Sequence, residues 1–255
     1  MSGEPLHRDD PTGRFTARAD AYARHRPDYP ANAIDAIVAG LGCAPEPIAA
    51  DLGAGTGISS RQLAARGIFV YAVEPNEEMR LRIPAHPRIA PLDASAESLP
   101  LEDGSLALVT AFQAFHWFDP SRALPEIARV LRPGGRIALV WNERDDARDR
   151  FTARWRTLAR KASGDHAAES RMDHSRALFE CGLFASVRRL SFQHEQELDW
   201  DGVIGRLAST SYIPSAGAAW EELLAGMRAL YDEFRDARGI VKLQYETRVY
   251  LAEKP

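Results

Sequence analysis

The residues best placed to do chemistry form one short run, Asp51-Leu52-Gly53-Ala54-Gly55-Thr56-Gly57. Glycines packed this densely behind an acid and an apolar stretch suit a strand-to-helix turn, where a ligand can approach bare main chain. A dinucleotide fingerprint needs its third glycine three positions after the second. Here Gly57 comes two positions on and Ile58 follows. Asp51 would also set negative charge beside a pyrophosphate. A cofactor with a cationic amino group and a sulfonium but no phosphate, such as S-adenosylmethionine, suits that acid better. Glu74 ends the next apolar run, where a carboxylate can accept hydrogen bonds from both hydroxyls of a ribose. A nicotinamide cofactor would use an acid in the same place, so Glu74 alone does not discriminate between the two.

A second cluster, Gln113-Ala114-Phe115-His116-Trp117-Phe118, follows a later apolar run. His116 could act as a base or bind an acceptor, and Trp117 could wall an apolar pocket; both could equally be packing residues. Group transfer from a sulfonium already has a good leaving group. It needs alignment and exclusion of water, and a base only when the acceptor is protonated.

The elements that must position these residues alternate. Residues 48–52, 69–73, 88–92, 106–112 and 137–140 read as strands separated by helical stretches. This predicts an α/β fold with a parallel sheet and helices on both faces. Residues 59–66 read as a helix closed by Gly67, Asn76 as the N-cap of a helix through Met79, and 123–131 as an amphipathic helix stopped by Pro133-Gly134-Gly135. Residues 187–198 and 240–251 alternate as antiparallel edge strands, and 199–238 between them read as a small helical cap. Residues 15–41 read as lid helices broken at Pro27 and Pro30, and 1–14 as a polar, mobile N-terminus.

The chain has 255 residues, with 32 Lys+Arg against 36 Asp+Glu and a net charge of −4. That balance argues against a nucleic-acid surface. Lysine occurs only at Lys161, Lys242 and Lys254, so nearly every cation is arginine. Cys43 and Cys181 cannot build a disulfide framework or a CxxC motif. The histidines show no metal-ligand spacing, and no metal is expected. The N-terminus lacks the apolar core of a signal peptide and no run is long and apolar enough to span a bilayer, so a cytoplasmic location without membrane contact is the expectation.

The sequence resembles the class I S-adenosylmethionine-dependent methyltransferases of the type 11 small-molecule group. The carriers are Asp51–Gly57, Glu74-Pro75, Ser95-Ala96-Glu97-Ser98-Leu99-Pro100, the Ala114–Asp119 run and residues 126–145. The resemblance implies a Rossmann-like, seven-stranded, mostly parallel sheet with the last strand antiparallel. It implies that Gly53, Ala54 and Gly55 line the methionine part of the cofactor, with Thr56 and Gly57 completing the loop and Gln113 nearby. Glu74 would hold the ribose, Pro75 and Met79 would border the adenine, and Ser95 and Ala96 would meet its edge. Many relatives carry Asp at the position of Ser95. Tyr22 and Arg26 match a lid motif that would close over cofactor and acceptor, with Arg26 available for a carboxylate. Ser209, Ser211 and Tyr212 match a stretch that lines the acceptor site, and Arg206 and Trp200 are further pocket candidates.

The expected function is methyl transfer to a small acceptor. A carboxylate or hydroxyl oxygen is favoured, nitrogen or carbon is open, and the protein would act as a monomer or homodimer. A nicotinamide-dependent oxidoreductase and a non-catalytic S-adenosylmethionine-binding protein are the competing readings.

Overall fold

A computed structural model describes residues 24–41, 46–164, 175–210 and 212–255. The expected mobile stretch 1–14, the first part of the lid, Tyr22, Cys43 and Ser211 lie outside the described residues. The strands are β1 (Ile48–Leu52), β2 (Phe69–Val73), β3 (Ile89–Leu92), β4 (Leu106–Phe112), β5 (Leu131–Arg144), β6 (Ala185–Leu198) and β7 (Val241–Glu253). The helices are α1 (Ala31–Val38), α2 (Ile58–Ala64), α3 (Glu77–Arg80), α4 (Pro120–Val130), α5 (Arg150–Ser163), α6 (Ser175–Glu180), α7 (Trp200–Ala208) and α8 (Ala218–Phe234).

The sheet runs β3-β2-β1-β4-β5-β7-β6. The first five strands are parallel, and β7 lies antiparallel between β5 and β6. Strand order therefore reverses at β1 and β4, where Asp51 pairs with Thr110. Such a reversal opens a crevice at the carboxyl ends of the strands.

Every residue of β4 is buried, which requires apolar cover on both faces of the sheet. On one face α1 and α2 bring Ile34, Ile37 and Leu63 against Ala49, Leu108 and Val140. On the other, α4 brings Ala123, Leu124 and Ile127 against Ala50, Val109 and Leu139. The edge strand β6 is largely exposed and carries charges along its length, which discourages further strand pairing. Asn76 caps α3 as its sequence predicts, accepting from Met79 N–H at 2.9 Å.

Two elements differ from their sequence reading. Helix α4 ends at Val130, and Leu131 already pairs with Leu106, so Pro133-Gly134-Gly135 falls within β5 and does not stop the helix. The other is α5, which lies ahead of residues 199–238 and is not assigned from the sequence. Helix α5 packs with α7, α8 and the start of β7 in one cluster that includes Phe151, Trp155, Val203, Met227 and Tyr245. The spacing of Phe151, Trp155 and Ala159, the Asp149 N-cap and Gly164 at φ +65° are the local signals for α5.

Arginine forks fasten the elements. Arg136, 8% exposed, donates to the Ile37 and Ala39 carbonyls at 2.8 and 2.9 Å and ties the end of α1 to β5. Arg129 does the same for the Leu99 and Leu101 carbonyls. A planar fork can serve several carbonyls at once, which a lysine's single ammonium does less well.

Candidate functional site

The loop after β1 turns on Gly53 (φ +65°), Gly55 (φ +58°) and Gly57 (φ +79°). At Gly53 glycine is required twice over, because a Cβ there would stand 2.6 Å from the Ala114 Cβ. That close approach seats the loop against the Ala114–Asp119 segment.

Two buried carboxylates flank the loop and are solvated differently. Asp51 is fully buried, and its Oδ2 accepts from Ser59 Oγ at 2.6 Å and Ser60 Oγ at 2.7 Å. Its Oδ1 accepts from Thr110 Oγ1 at 2.8 Å. Burial raises its pKa and the three hydroxyls oppose that shift. Glu74 is 9% exposed; its Oε2 accepts from Gly55 N–H and its Oε1 from Asn76 N–H, each at 2.9 Å. Burial raises its pKa as well, against these two backbone donors and the nearby Arg80. A carboxylate has about four acceptor positions. Two are used here, so Glu74 is held in one orientation with one position left on each oxygen.

Glu74 stands in the wall of a cavity of about 340 Å³, a size suited to a small ligand. Of the residues expected around a cofactor, Gly53, Gly55, Glu74, Pro75, Met79, Ser95, Ala96 and Gln113 line it, and Trp117 does too. Phe118, Glu97 and Asp119 are wall residues that the sequence reading passed over, although they fall within its motifs. Asp51, Thr56 and Gly57 are absent from this wall. Their place is behind it: Asp51 fastens α2 and β4 through hydroxyls, and Gly57 is the left-handed N-cap of α2.

A smaller chamber of about 30 Å³ adjoins it and shares Gly53, Phe112 and Gln113. Ala54 lines this one, with Arg26, Asn142, Arg206 and Tyr245. Gln113 sits between the two at φ +54°, a strained conformation for a side-chain-bearing residue, at a cost of about 1–3 kcal/mol. Its N–H donates to the Val140 carbonyl and its Nε2 to the Asn142 carbonyl, both at 2.8 Å, which hold it there.

His116, Ser209 and Tyr212 line neither chamber. His116 Nδ1 accepts from the indole Nε1 of buried Trp141 at 3.5 Å. The Ser209 carbonyl accepts from Arg26 Nη2 at 3.0 Å, and the Tyr212 hydroxyl accepts from Arg144 Nη2 at 3.2 Å. Ser209 thus reaches the smaller chamber only through the arginines it supports. Of that chamber, Tyr245 carries no local sequence signal, and Asn142 falls within the 126–145 run without being singled out there.

The strand order, the glycine loop and the acid ending β2 define a Rossmann-like methyltransferase fold. Residues 50–139 match the family model described as a methyltransferase domain. An uncharacterized methyltransferase of Mycobacterium tuberculosis, Rv3342, is 48% identical over 145 residues, covering 54% of this chain and 56% of that protein. The chain thus spans only a little over half the length of that relative. The solved YcgJ protein of Bacillus subtilis shares the fold at TM-score 0.57 and 21% identity, over 88% of this chain and 98% of that one. Phosphoethanolamine N-methyltransferase 2 of Haemonchus contortus shares it at TM-score 0.53 and 15% identity, over 98% of this chain and 59% of that one. No described helix is long and apolar enough to cross a membrane.

Proposed function

We propose that the chain transfers a methyl group from S-adenosylmethionine to an oxygen of a small-molecule acceptor, a carboxylate or a hydroxyl. The observation that carries this is Glu74, fixed in a cavity wall by Gly55 N–H and Asn76 N–H with acceptor capacity left on both oxygens. A diol fits that capacity. The other charged walls suit a cation, since Glu97 and Asp119 stand with Glu74 against Arg122 alone.

When bound, S-adenosylmethionine supplies an electrophilic methyl carbon on a sulfonium. Gly53 and Gly55 would pass its amino-acid part along bare main chain, Glu74 would orient the ribose, and Pro75, Met79 and Ala96 would border the adenine. Trp117 and Phe118 give the cavity apolar walls and exclude water. The acceptor would enter by the smaller chamber, so that its oxygen lies beside Gly53 and Gln113, which wall both spaces. Alignment of this kind contributes up to about 7–11 kcal/mol.

Among the two oxygen acceptors, a carboxylate asks less of this site. It arrives deprotonated, whereas a hydroxyl needs a base. His116 is the base candidate from sequence, but its Nδ1 lone pair faces the Trp141 N–H, which leaves the neutral ring's proton on Nε2. We assign it a positioning role for Trp141 and the Ala114–Asp119 segment.

Calorimetric titration with S-adenosylhomocysteine and with NAD tests the reading. Binding of S-adenosylhomocysteine and not NAD is expected; binding of NAD alone would overturn it in favour of an oxidoreductase. Binding without transfer of labelled methyl to a panel of acids, phenols and amines would favour a non-catalytic role.

A further inference from the structure

Arg206, on α7 of the cap, is 5% exposed. A guanidinium taken this far from water costs several kcal/mol unless an anion or a full set of acceptors meets it. Its Nε donates to the Tyr245 hydroxyl at 3.1 Å. Its Nη1 donates to Thr210 Oγ1 at 3.0 Å and Ser209 Oγ at 3.3 Å. All three acceptors are neutral hydroxyls, and among the described residues no carboxylate pairs with Arg206. The other deeply buried arginine among the described residues, Arg136, has both main-chain carbonyls and the Glu253 carboxylate. Arg206 therefore carries an uncompensated positive charge at the wall of the smaller chamber.

Arg26 lines the same chamber, positioned by its bond to the Ser209 carbonyl. An anion in this space would meet both guanidiniums and would relieve the burial cost of Arg206. The fork of an arginine matches a carboxylate in particular. A volume of about 30 Å³ admits two or three water-sized groups, enough for the two oxygens of a carboxylate but tight for a phosphate. The space shares the Gly53, Phe112 and Gln113 walls with the larger cavity, so a molecule held in it by one end would place its other end toward those walls.

Resting on the methyltransferase reading, we infer that Arg206 and Arg26 form a carboxylate-binding subsite that holds the acceptor by a group other than the one methylated. The acceptor is then a small acid with at least one further nucleophilic oxygen, such as a dicarboxylic or hydroxy acid. The hydroxyls of Tyr245, Ser209 and Thr210 fix the guanidinium plane before the acceptor arrives, which reduces the ordering cost of binding.

The test uses the full chain, with and without S-adenosylhomocysteine, and succinate as the probe. Succinamide, of similar shape and uncharged, and inorganic phosphate are the comparison ligands. Calorimetry and thermal melting should show succinate binding wild type at least about tenfold more tightly than either. Arg206→Met should lose succinate binding by at least about 30-fold while S-adenosylhomocysteine affinity stays within about twofold. Its ligand-free melting temperature should hold or rise, because an unneutralised buried charge has been removed. Equal binding of succinate and succinamide, tighter binding of phosphate, wild-type affinity in Arg206→Met, or no response of wild type to succinate would each overturn the subsite. Arg26→Met and Arg206→Lys provide the same comparison if Arg206→Met does not fold. Failure of S-adenosylhomocysteine to bind while succinate binds would instead defeat the methyltransferase reading and leave the anion site standing.

Discussion

The two chambers that share Gly53, Phe112 and Gln113 are built differently. The larger is walled by short contiguous runs, each just past the end of a strand: the glycine loop after β1, Glu74 to Met79 after β2, Ala94 to Glu97 after β3 and Phe112 to Arg122 around the end of β4. Its fixed charges are mainly acids. The smaller shares the glycine loop and the end of β4, and adds the Arg26–Tyr29 stretch ahead of α1. It also takes single side chains from distant places, Asn142 on β5, Arg206 on α7 and Tyr245 on β7. Its fixed charges are cations. Local main-chain geometry thus makes the larger chamber, and the smaller one also depends on side chains that only the tertiary fold brings to it, Arg206 and Tyr245 among them. Under the proposed function this separates the handling of a cofactor from the choice of an acceptor, so the cap can vary without disturbing the loop.

The largest effect tests whether the halves are separable in stability. Trp155 is 1% exposed at the centre of the cap cluster, its ring 5.9 Å from that of Phe151. Trp155→Ala should cost about 3–5 kcal/mol in urea unfolding. No member of the cap cluster lines the larger chamber, so S-adenosylhomocysteine affinity of the folded variant should stay within about twofold. A parallel loss of that affinity would break the comparison. Next comes Glu74→Ala, which removes two acceptor positions from the larger chamber. S-adenosylhomocysteine affinity should fall about 100-fold, near 3 kcal/mol, with Glu74→Gln intermediate. Unchanged affinity by calorimetry would remove Glu74 from the binding surface.

Asp51 sharpens the contrast within the acidic half, because it is closed off where Glu74 is open. Burial holds its carboxyl above the ordinary 3.8, with Ser59, Ser60 and Thr110 opposing. An acid raised by folding binds more protons in the folded chain than in the unfolded one. Its stabilisation is complete below the unfolded value and is lost as pH rises through the folded value. Glu74, also raised by burial from 4.5, acts in the same direction. Asp51→Asn removes this dependence at one site. Its stability relative to wild type should therefore improve as pH rises above about 4 in urea titrations at fixed ionic strength. A pH-independent difference would show that the hydroxyl cage, and not burial, dominates that carboxylate.

The same contrast governs what could be read from the sequence. Strand positions, the glycine loop, the Asn76 cap and Glu74 are local: each depends on residues within a few positions of one another, so spacing carries them. The seven strands fall within a few residues of their expected places, except that β5 begins at Leu131, where Leu106 supplies a partner beyond the 137–140 core. Asp51 shows the limit, since the acid was legible but its direction was not. Two serines of α2 and Thr110 of β4 turn it away from the cavity, and the Thr110 contact depends on sheet order. Helix α5 was obscured by its many arginines, which hide a narrow apolar face. The smaller chamber was least legible. Nothing near Tyr245 marks it, and Asn142 lies in the 126–145 run without being singled out there. Arg206, a pocket candidate from sequence, shows its unpaired charge only when its surroundings are seen to hold hydroxyls and no acid.

The smallest effect concerns His116, and it decides where reactivity lies in this comparison. The residue sits in the short turn Phe115–Trp117, half-buried, its ring centroid 4.9 Å from that of Trp117. Its bond to Trp141 is long, and its loss should cost at most about 1 kcal/mol. If His116 only positions Trp141 and the turn, His116→Ala slows transfer to a carboxylate and to a hydroxyl acceptor by the same small factor, about fivefold or less. If it is the base, only the hydroxyl reaction suffers, by about 100-fold or more. Parallel single-turnover measurements on both acceptor types read that difference directly. Equal slowing leaves chemistry to alignment between the two chambers, with no proton transfer by this turn. Selective slowing of the hydroxyl acceptor would place a catalytic group on the wall segment of the larger chamber and end the division between a chamber that binds and a chamber that selects.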